Sequence, residues 1–347
     1  MAPADFDCRQ PNPQGLNRKT HMEYRNLGRS GLQVSVIGLG CMPFGMSIEE
    51  EAATGIVQRA MEMGVNFFDT ADIYGDRGKS ELWLGRALGK RRPEVVIATK
   101  FAGPMSASRR DMQGGSRRYI CAAVEASLQR LGTDYIDLYQ MHFPDAKTPV
   151  EETLRALDDL VRQGKVRYIG HSNFAGWQLV DADWTAKAHN LNAFVSAQNR
   201  WSLITRDIER ELVPAASACG ISILPYFPLE SGLLTGKYRK GAPPPEGSRL
   251  AKWGSFGSSA FSSEANFNVL EKFNAVCEKH GVSLLELAMG WLVSKPVVAS
   301  VIAGVTSIEQ LEQNVAAGLK KLPAAALGEA GQITAPPVAG FGPPRRP

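Results

Sequence analysis

Eight short apolar segments separated by longer amphipathic ones constrain this chain more than any other feature of it. The apolar segments are Val34–Leu39, Asn66–Phe68, Val95–Thr99, Ile136–Met141, Val166–Gly170, Phe194–Ala197, Ile221–Pro225 and Val298–Ala303. Their aliphatic and β-branched residues run with little polar alternation, as expected of strands covered on both faces. Helical periodicity fills the gaps at Ile48–Met63, Ser80–Leu88, Arg117–Leu131, Pro149–Gln163, Gly176–His189, Glu209–Cys219, Phe267–Lys279 and Leu284–Val293, and follows the last strand at Ile308–Leu319. Gly64, Gly132, Gly164 and Gly220 stand between a helix and the next strand, where a left-handed cap belongs. Thr306-Ser307-x-Glu309 offers capping chemistry for the last helix. Strands and helices in alternation predict a parallel α/β architecture, and eight strands in 347 residues favour one closed (β/α)8 TIM barrel over an open sheet. Tyr24–Leu27 and Leu32–Ser35, joined by Gly28-Arg29-Ser30-Gly31, read as a β-hairpin able to plug one barrel end.

Composition excludes several alternatives. A hydrophobic fraction of 44% with 21% charged residues is ordinary for a folded domain. Thirty-nine Lys+Arg against 35 Asp+Glu leave +4, too mild for a dedicated nucleic-acid binder. No apolar stretch reaches the roughly 18 residues that a membrane span needs. Five scattered cysteines (Cys8, Cys41, Cys121, Cys219, Cys277) form no Cys-x-x-Cys pair, which speaks against a disulfide scaffold or zinc site and for a cytoplasmic setting. Residues 1–22 lack hydrophobic periodicity and are expected to be a disordered extension. The barrel is expected over 23–322, followed by a flexible Ala/Gly/Pro-rich tail over 323–347.

Gly38-Leu39-Gly40-Cys41-Met42-Pro43-Phe44-Gly45 imitates a dinucleotide fingerprint. Its third glycine comes two positions late and Pro43 stands where a helix would begin. The chemistry lies instead where strands end, because functional groups of parallel barrels collect there. The second strand runs into Asp69, with Tyr74 five residues on; the third ends at Lys100 and the fourth at His142. Adjacent strands lie about 4.8 Å apart, so these groups can converge. A lysine ammonium about 4 Å from a phenol, at an effective dielectric near 20, is worth roughly 4 kcal/mol, which predicts a lowered tyrosine pKa. Asp69 would keep that lysine charged, and His142 could orient a carbonyl oxygen. Such a set protonates a carbonyl and needs a separate hydride donor.

Later strand ends offer a place for one. They present Ser172 and Asn173, then Gln198, then Tyr226, followed by a long loop containing Leu229, Ser231, Gly232, Leu233 and Lys237. That loop continues through Arg239, Lys240, Arg249 and Lys252, a local positive run suited to a diphosphate. Gly304 and Thr306 lead into a helix N-terminus, which favours phosphate. Met42, Ile73, Phe101, Phe143, Trp253 and Phe256 are candidates for an apolar substrate mouth.

From about Tyr24 to Leu322 the chain resembles the aldo-keto reductase family. The resemblance runs through Tyr24-Arg25-x-Leu27-Gly28-Arg29-Ser30-Gly31-Leu32, Gly38-Leu39-Gly40, Phe68-Asp69-Thr70-Ala71-x-x-Tyr74-Gly75, Thr99-Lys100, His142, Gly170-x-Ser172-Asn173, Gln198, Tyr226-x-Pro228-Leu229 and Gln310-x-x-Gln313-Asn314. It implies NADPH-linked reduction of aldehydes and ketones without a metal, and a catalytic tetrad of Asp69, Tyr74, Lys100 and His142. It further implies that Ser172, Asn173 and Gln198 hold the nicotinamide carboxamide and Tyr226 stacks on its ring. The loop at Leu229, Ser231, Gly232, Leu233 and Lys237, with Arg249, would cover the diphosphate; Gly304, Thr306, Gln310, Gln313 and Asn314 would surround the adenosine. Relatives often carry Lys or Arg where this chain has Thr306, Ser307 and Gln310, a charge that pairs with the 2′-phosphate. Its absence here leaves NAD possible beside NADP. Two other readings compete: a Schiff-base lyase using Lys100, and a nucleotide-binding regulatory subunit, since the family also resembles potassium-channel β subunits.

Overall fold

The computed structural model describes residues 21–238, 242–246, 248, 251 and 263–336. Eight strands form one parallel sheet: β3 (Ile37–Gly40), β4 (Phe67–Asp69), β5 (Val96–Phe101), β6 (Ile136–Met141), β7 (Val166–Ser172), β8 (Ser196–Arg200), β9 (Ser222–Tyr226) and β10 (Val301–Gly304). Their order is β10-β3-β4-β5-β6-β7-β8-β9. The two edges meet just before β10: Ile223 N donates to Val297 O (2.8 Å) and Ala299 N donates to Ile223 O (3.2 Å). A parallel bridge between Ile223 and Val298 completes the ring. The sheet is therefore a closed (β/α)8 barrel.

Helices cover its outside: α1 (Glu50–Glu62), α2 (Tyr74–Leu88), α3 (Arg117–Leu131), α4 (Val150–Arg162), α5 (Gly176–Ala188), α6 (Leu212–Cys219), α7 (Glu264–His280), α8 (Leu284–Val293), α9 (Ile308–Leu319) and α10 (Ala324–Ile333). The larger apolar core lies between helices and strands, and a second one fills the barrel. Gly64, Gly132, Gly164 and Gly220 all take positive φ, as their positions predict. Ser307 caps α9 by accepting from Gln310 N.

Before the barrel, β1 (Tyr24–Asn26) pairs antiparallel with β2 (Gln33–Ser35). Leu27 and Val34 of this hairpin belong to the interior core with Phe67, Val96 and Leu138. Phe67 and Val96 open their strands, so the hairpin plugs the end from which the strands start. Gly28 N donates to Ser222 Oγ at the first residue of β9 (2.8 Å), and the Arg25 guanidinium donates to the carbonyls of Val293 and Val298.

Two expectations change. The tail was read as flexible from residue 323, yet α10 begins at Ala324 and buries Ala326 and Ala330 completely. Alanines four apart share one helix face, and their small side chains allow a close approach that a search for large apolar residues overlooks. The second helix was expected from Ser80; the hydrogen-bonded run instead starts at Tyr74, through Gly75, Asp76, Arg77 and Gly78, all at positive φ, so the right-handed helix begins near the expected point. Residues 1–20 of the extension expected over 1–22, and the positions after 336, lie outside the described residues. Among the described residues, no helix is long and apolar enough to cross a membrane.

Candidate active site

Asp69 ends β4, Lys100 sits in β5, His142 follows β6 and Tyr74 opens α2. Backbone bonds tie these strand ends together. Thr70 N donates to Ala98 O, Asp72 N to Lys100 O and His142 N to Phe101 O. Lys100 is fully buried, and its Nζ donates to Asp69 Oδ1 (2.6 Å) and Thr70 O (2.8 Å) while standing 3.5 Å from the Tyr74 hydroxyl. Asp69 Oδ2 accepts from Gln198 Nε2 (2.7 Å) and Gln140 Nε2 (3.2 Å), so both carboxylate oxygens are engaged. The His142 ring meets the Tyr74 ring edge-on at 5.6 Å and stacks on Phe143 at 4.3 Å.

The protonation states follow from burial. Burial raises the Tyr74 phenol above its usual value, and Lys100 offsets only part of that rise. The lowered tyrosine pKa expected from charge alone is therefore not what the site shows, because desolvation of phenolate opposes the ammonium. Burial also draws the Lys100 ammonium down, but Asp69 and Tyr74 outweigh it and leave the group above its usual value. His142 is held at about 2 by burial first and Lys100 second, so its ring is neutral and carries one N–H. A protonated phenol, a fixed ammonium behind it and a neutral imidazole beside it can donate hydrogen bonds to one incoming oxygen.

A cavity of about 630 Å³ opens above this cluster. Asp69, Tyr74 and His142 form its floor, whereas Lys100 lies beneath and does not line it. Ser172, Asn173, Gln198 and Tyr226 form one wall, joined by bonds from Asn173 Nδ2 to His142 O (3.0 Å), Ser172 Oγ to Gln198 O (2.7 Å) and the Tyr226 hydroxyl to Asn173 Oδ1 (2.8 Å). Leu229, Ser231, Gly232 and Lys237 line it from the loop after β9. In that loop Phe227, Glu230 and Ser231 take positive φ, a strained set for residues other than glycine. Glu230 is buried, paired with Arg200, and its Oε1 accepts from Ser202 Oγ (2.6 Å), which holds the strained turn in place. Gly304, Thr306, Gln310, Gln313 and Asn314 close the far end. Gln310 Oε1 accepts there from Thr306 N (3.0 Å).

Of the sequence candidates, Leu233 is not brought to this cavity; it is fully buried in the outer core. Phe101 likewise packs in the core, against Tyr139, while Met42, Ile73 and Phe143 do line the cavity. Arg239, Lys240, Arg249, Lys252, Trp253 and Phe256 lie outside the described residues. Residues missed by sequence reading include Gly40, Ile302 and Ala303, which the strand-end rule could have found, and Leu285, on a helix with no such signal. Gln140 was also missed; it stands two residues before His142 on the inward face of β6 and holds Asp69. Among the described residues there is no group of three or more His, Cys, Asp or Glu side chains able to hold a metal ion.

The wall's amide and hydroxyl groups suit a carboxamide, and Lys237 and the buried Ser231 hydroxyl, which has no hydrogen-bond partner among the described residues, suit a phosphate. The chemistry of these donors thus fits a nicotinamide dinucleotide. Residues 36–333 match the model of the Aldo/keto reductase family. The chain is 40% identical over 305 residues to an uncharacterized oxidoreductase, YrpG, of Bacillus subtilis, covering 85% of this chain and 91% of that protein. It is 36% identical over 330 residues to the versiconal hemiacetal acetate reductase of Aspergillus parasiticus, covering 87% and 94%. A probable voltage-gated potassium channel subunit beta of Arabidopsis thaliana is 37% identical over 310 residues, covering 85% and 91%.

Proposed function

The chain belongs to the aldo/keto reductase family, and from that premise we propose that it reduces aldehydes or ketones with a nicotinamide nucleotide, Tyr74 giving the proton. One observation carries the reading: the Lys100 ammonium, anchored by Asp69, stands 3.5 Å behind a protonated Tyr74 hydroxyl at the floor of the cavity. When bound, the nucleotide supplies a hydride to the carbonyl carbon. Tyr74 then donates its proton to the oxygen, and Lys100 stabilises the phenolate left behind. His142 donates its one N–H to the same oxygen and orients it. Ser172, Asn173 and Gln198 would hold the carboxamide, Tyr226 would cover the ring, and Ser231, Gly232 and Lys237 would hold the diphosphate.

Thr306, Gln310 and Gln313 carry no charge at the adenosine end. We therefore expect NADH to serve beside NADPH, with a cytoplasmic protein drawing on either. The apolar mouth of Met42, Ile73 and Phe143 favours uncharged apolar or aromatic carbonyls. Complete burial of Lys100 beneath the cavity floor counts against Schiff-base chemistry there. The regulatory reading keeps one support, the relatives named as potassium channel β subunits.

The deciding experiment follows NADPH and NADH oxidation with a panel of aldehydes and ketones, comparing the wild type with Tyr74→Phe. Turnover should fall by roughly 100-fold or more, the scale of a lost general acid, with nucleotide binding kept. Tight nucleotide binding without turnover on any carbonyl would favour the regulatory reading instead.

A further inference from the structure

Asp72, between Asp69 and Tyr74, takes no part in the chemistry above, and it is nearly inaccessible to solvent. Its surroundings are unusual for a carboxylate. The Tyr119 hydroxyl of α3 stands 3.1 Å from Asp72 Oδ2 and 3.3 Å from Gly103 O. That hydroxyl has a single proton, and burial, then Asp72, holds it well above the ordinary phenol range. Were Asp72 ionised, both neighbours would be acceptors and the single Tyr119 proton could serve only one of the two contacts well. If Asp72 keeps its proton, Oδ2–H donates to the Tyr119 oxygen, and Tyr119 donates to Gly103 O. Both contacts are then bonded.

The other oxygen, Oδ1, has no hydrogen-bond partner among the described residues, which a buried acid carbonyl tolerates far better than a buried anionic oxygen. Arg130 and the Ile73 N–H favour the ionised form, but burial and Glu81 outweigh them. Arg130, on the facing α3, donates to Glu81 Oε2 (2.6 Å), and Glu81 also accepts from Thr99 (2.5 Å). The groups facing Asp72 are thus Tyr119 and Arg130 from α3, Glu81 from α2 and Tyr139 from β6, whose hydroxyl also lacks a hydrogen-bond partner among the described residues.

We propose that Asp72 is a neutral carboxylic acid whose bond to Tyr119 docks the loop carrying Tyr74 onto α3 and the segment after β5. It is a positioning residue, and its effect on turnover rests on Tyr74 being the proton donor. The docking has three further contacts on the same side. Asp72 N donates to Lys100 O (3.2 Å) and Tyr74 N donates to Ala71 O (3.2 Å). Ile73 packs so closely on Gly103 that a side-chain carbon there would lie 2.5 Å from it. Asp72 thus ties the backbone of Lys100 and the helix start at Tyr74 to one anchor. Burial, reinforced by Glu81, sets its titration at about 8, against an ordinary carboxylate value near 4.

Because the folded chain binds this proton more tightly than the unfolded chain, stability from this group is full below the ordinary carboxylate range. It declines as pH rises and levels off above about 8. Three measurements on the full chain test the proposal. Infrared difference spectra, wild type minus Asp72→Asn, should show a protonated-carboxyl carbonyl band at neutral pH that disappears at alkaline pH; its absence at neutral pH overturns the neutral acid. Denaturant unfolding should show Asp72→Asn, whose amide can still donate to Tyr119, losing the decline in stability between these limits; an unchanged slope overturns it too. Asp72→Leu should lower kcat by about tenfold while NADPH affinity, read by fluorescence, stays within about twofold, with Asp72→Asn restoring most of the rate. Wild-type kcat in Asp72→Leu would overturn the positioning role. The first two need no substrate, so they stand if no carbonyl is reduced.

Discussion

At the residue scale, burial and one ion pair fix the protonation states that the proposed tetrad needs. Tyr74 retains its proton through burial, Lys100 retains its charge through Asp69, and His142 stays neutral. His142 titrates at about 2, so falling pH cannot charge it in any working range. We therefore expect no inflection from His142 in kcat/KM between about pH 5 and 8, the interval where histidines ordinarily switch. A pH–rate profile that loses an acidic limb in His142→Gln would contradict this. Asp69, Tyr74, Lys100 and His142 were legible because chemistry in parallel barrels gathers at strand ends. The sign of the Tyr74 shift was not, since sequence shows the charge nearby but not the loss of water around it. Phe101 was misplaced because a one-residue change of face along a strand exchanges cavity for core, and Leu233 because its turn packs the side chain into the outer core.

At the element scale, the loop after β9 is tied down by the buried carboxylate of Glu230. Phe227, Glu230 and Ser231 hold positive φ where Glu230 is bonded to Arg200 and Ser202. Replacing Glu230 with Gln removes the charge and keeps the shape. Loss of a buried charge-assisted bond of about 1.5–3 kcal/mol should speed NADPH release by roughly tenfold or more, measured by stopped-flow fluorescence. An unchanged release rate would mean that the loop is held by its other contacts. Strand and helix order was readable as far as α9, and β6, α3, α8 and α9 have the expected limits. The long loop was readable only as a length of flexible, basic sequence, because a partner in β8 thirty residues earlier leaves no local trace. The same holds for α10, whose alanine face gives little hydrophobic signal.

At the scale of the whole molecule, the barrel has two differently built ends. The end bearing the site opens into the cavity, while the hairpin closes the other with Leu27 and Val34. Leu27→Ala should destabilise the fold by about 2–5 kcal/mol, as a fully buried leucine does, and leave KM unchanged because the plug is remote from the cavity. Denaturant melts with kinetics on the same preparation check both parts. A raised KM at full folding would show that the two ends are mechanically linked.

The plug also bears on how the chain is made. Gly28 bonds a residue 194 positions later, and Arg25 one 273 positions later. A ribosome delivers the hairpin well before these two partners. Until they emerge, Leu27 and Val34 can meet Phe67 and Val96 but no closed ring of strands, and a chaperone that shelters greasy segments would find a client in the growing polypeptide.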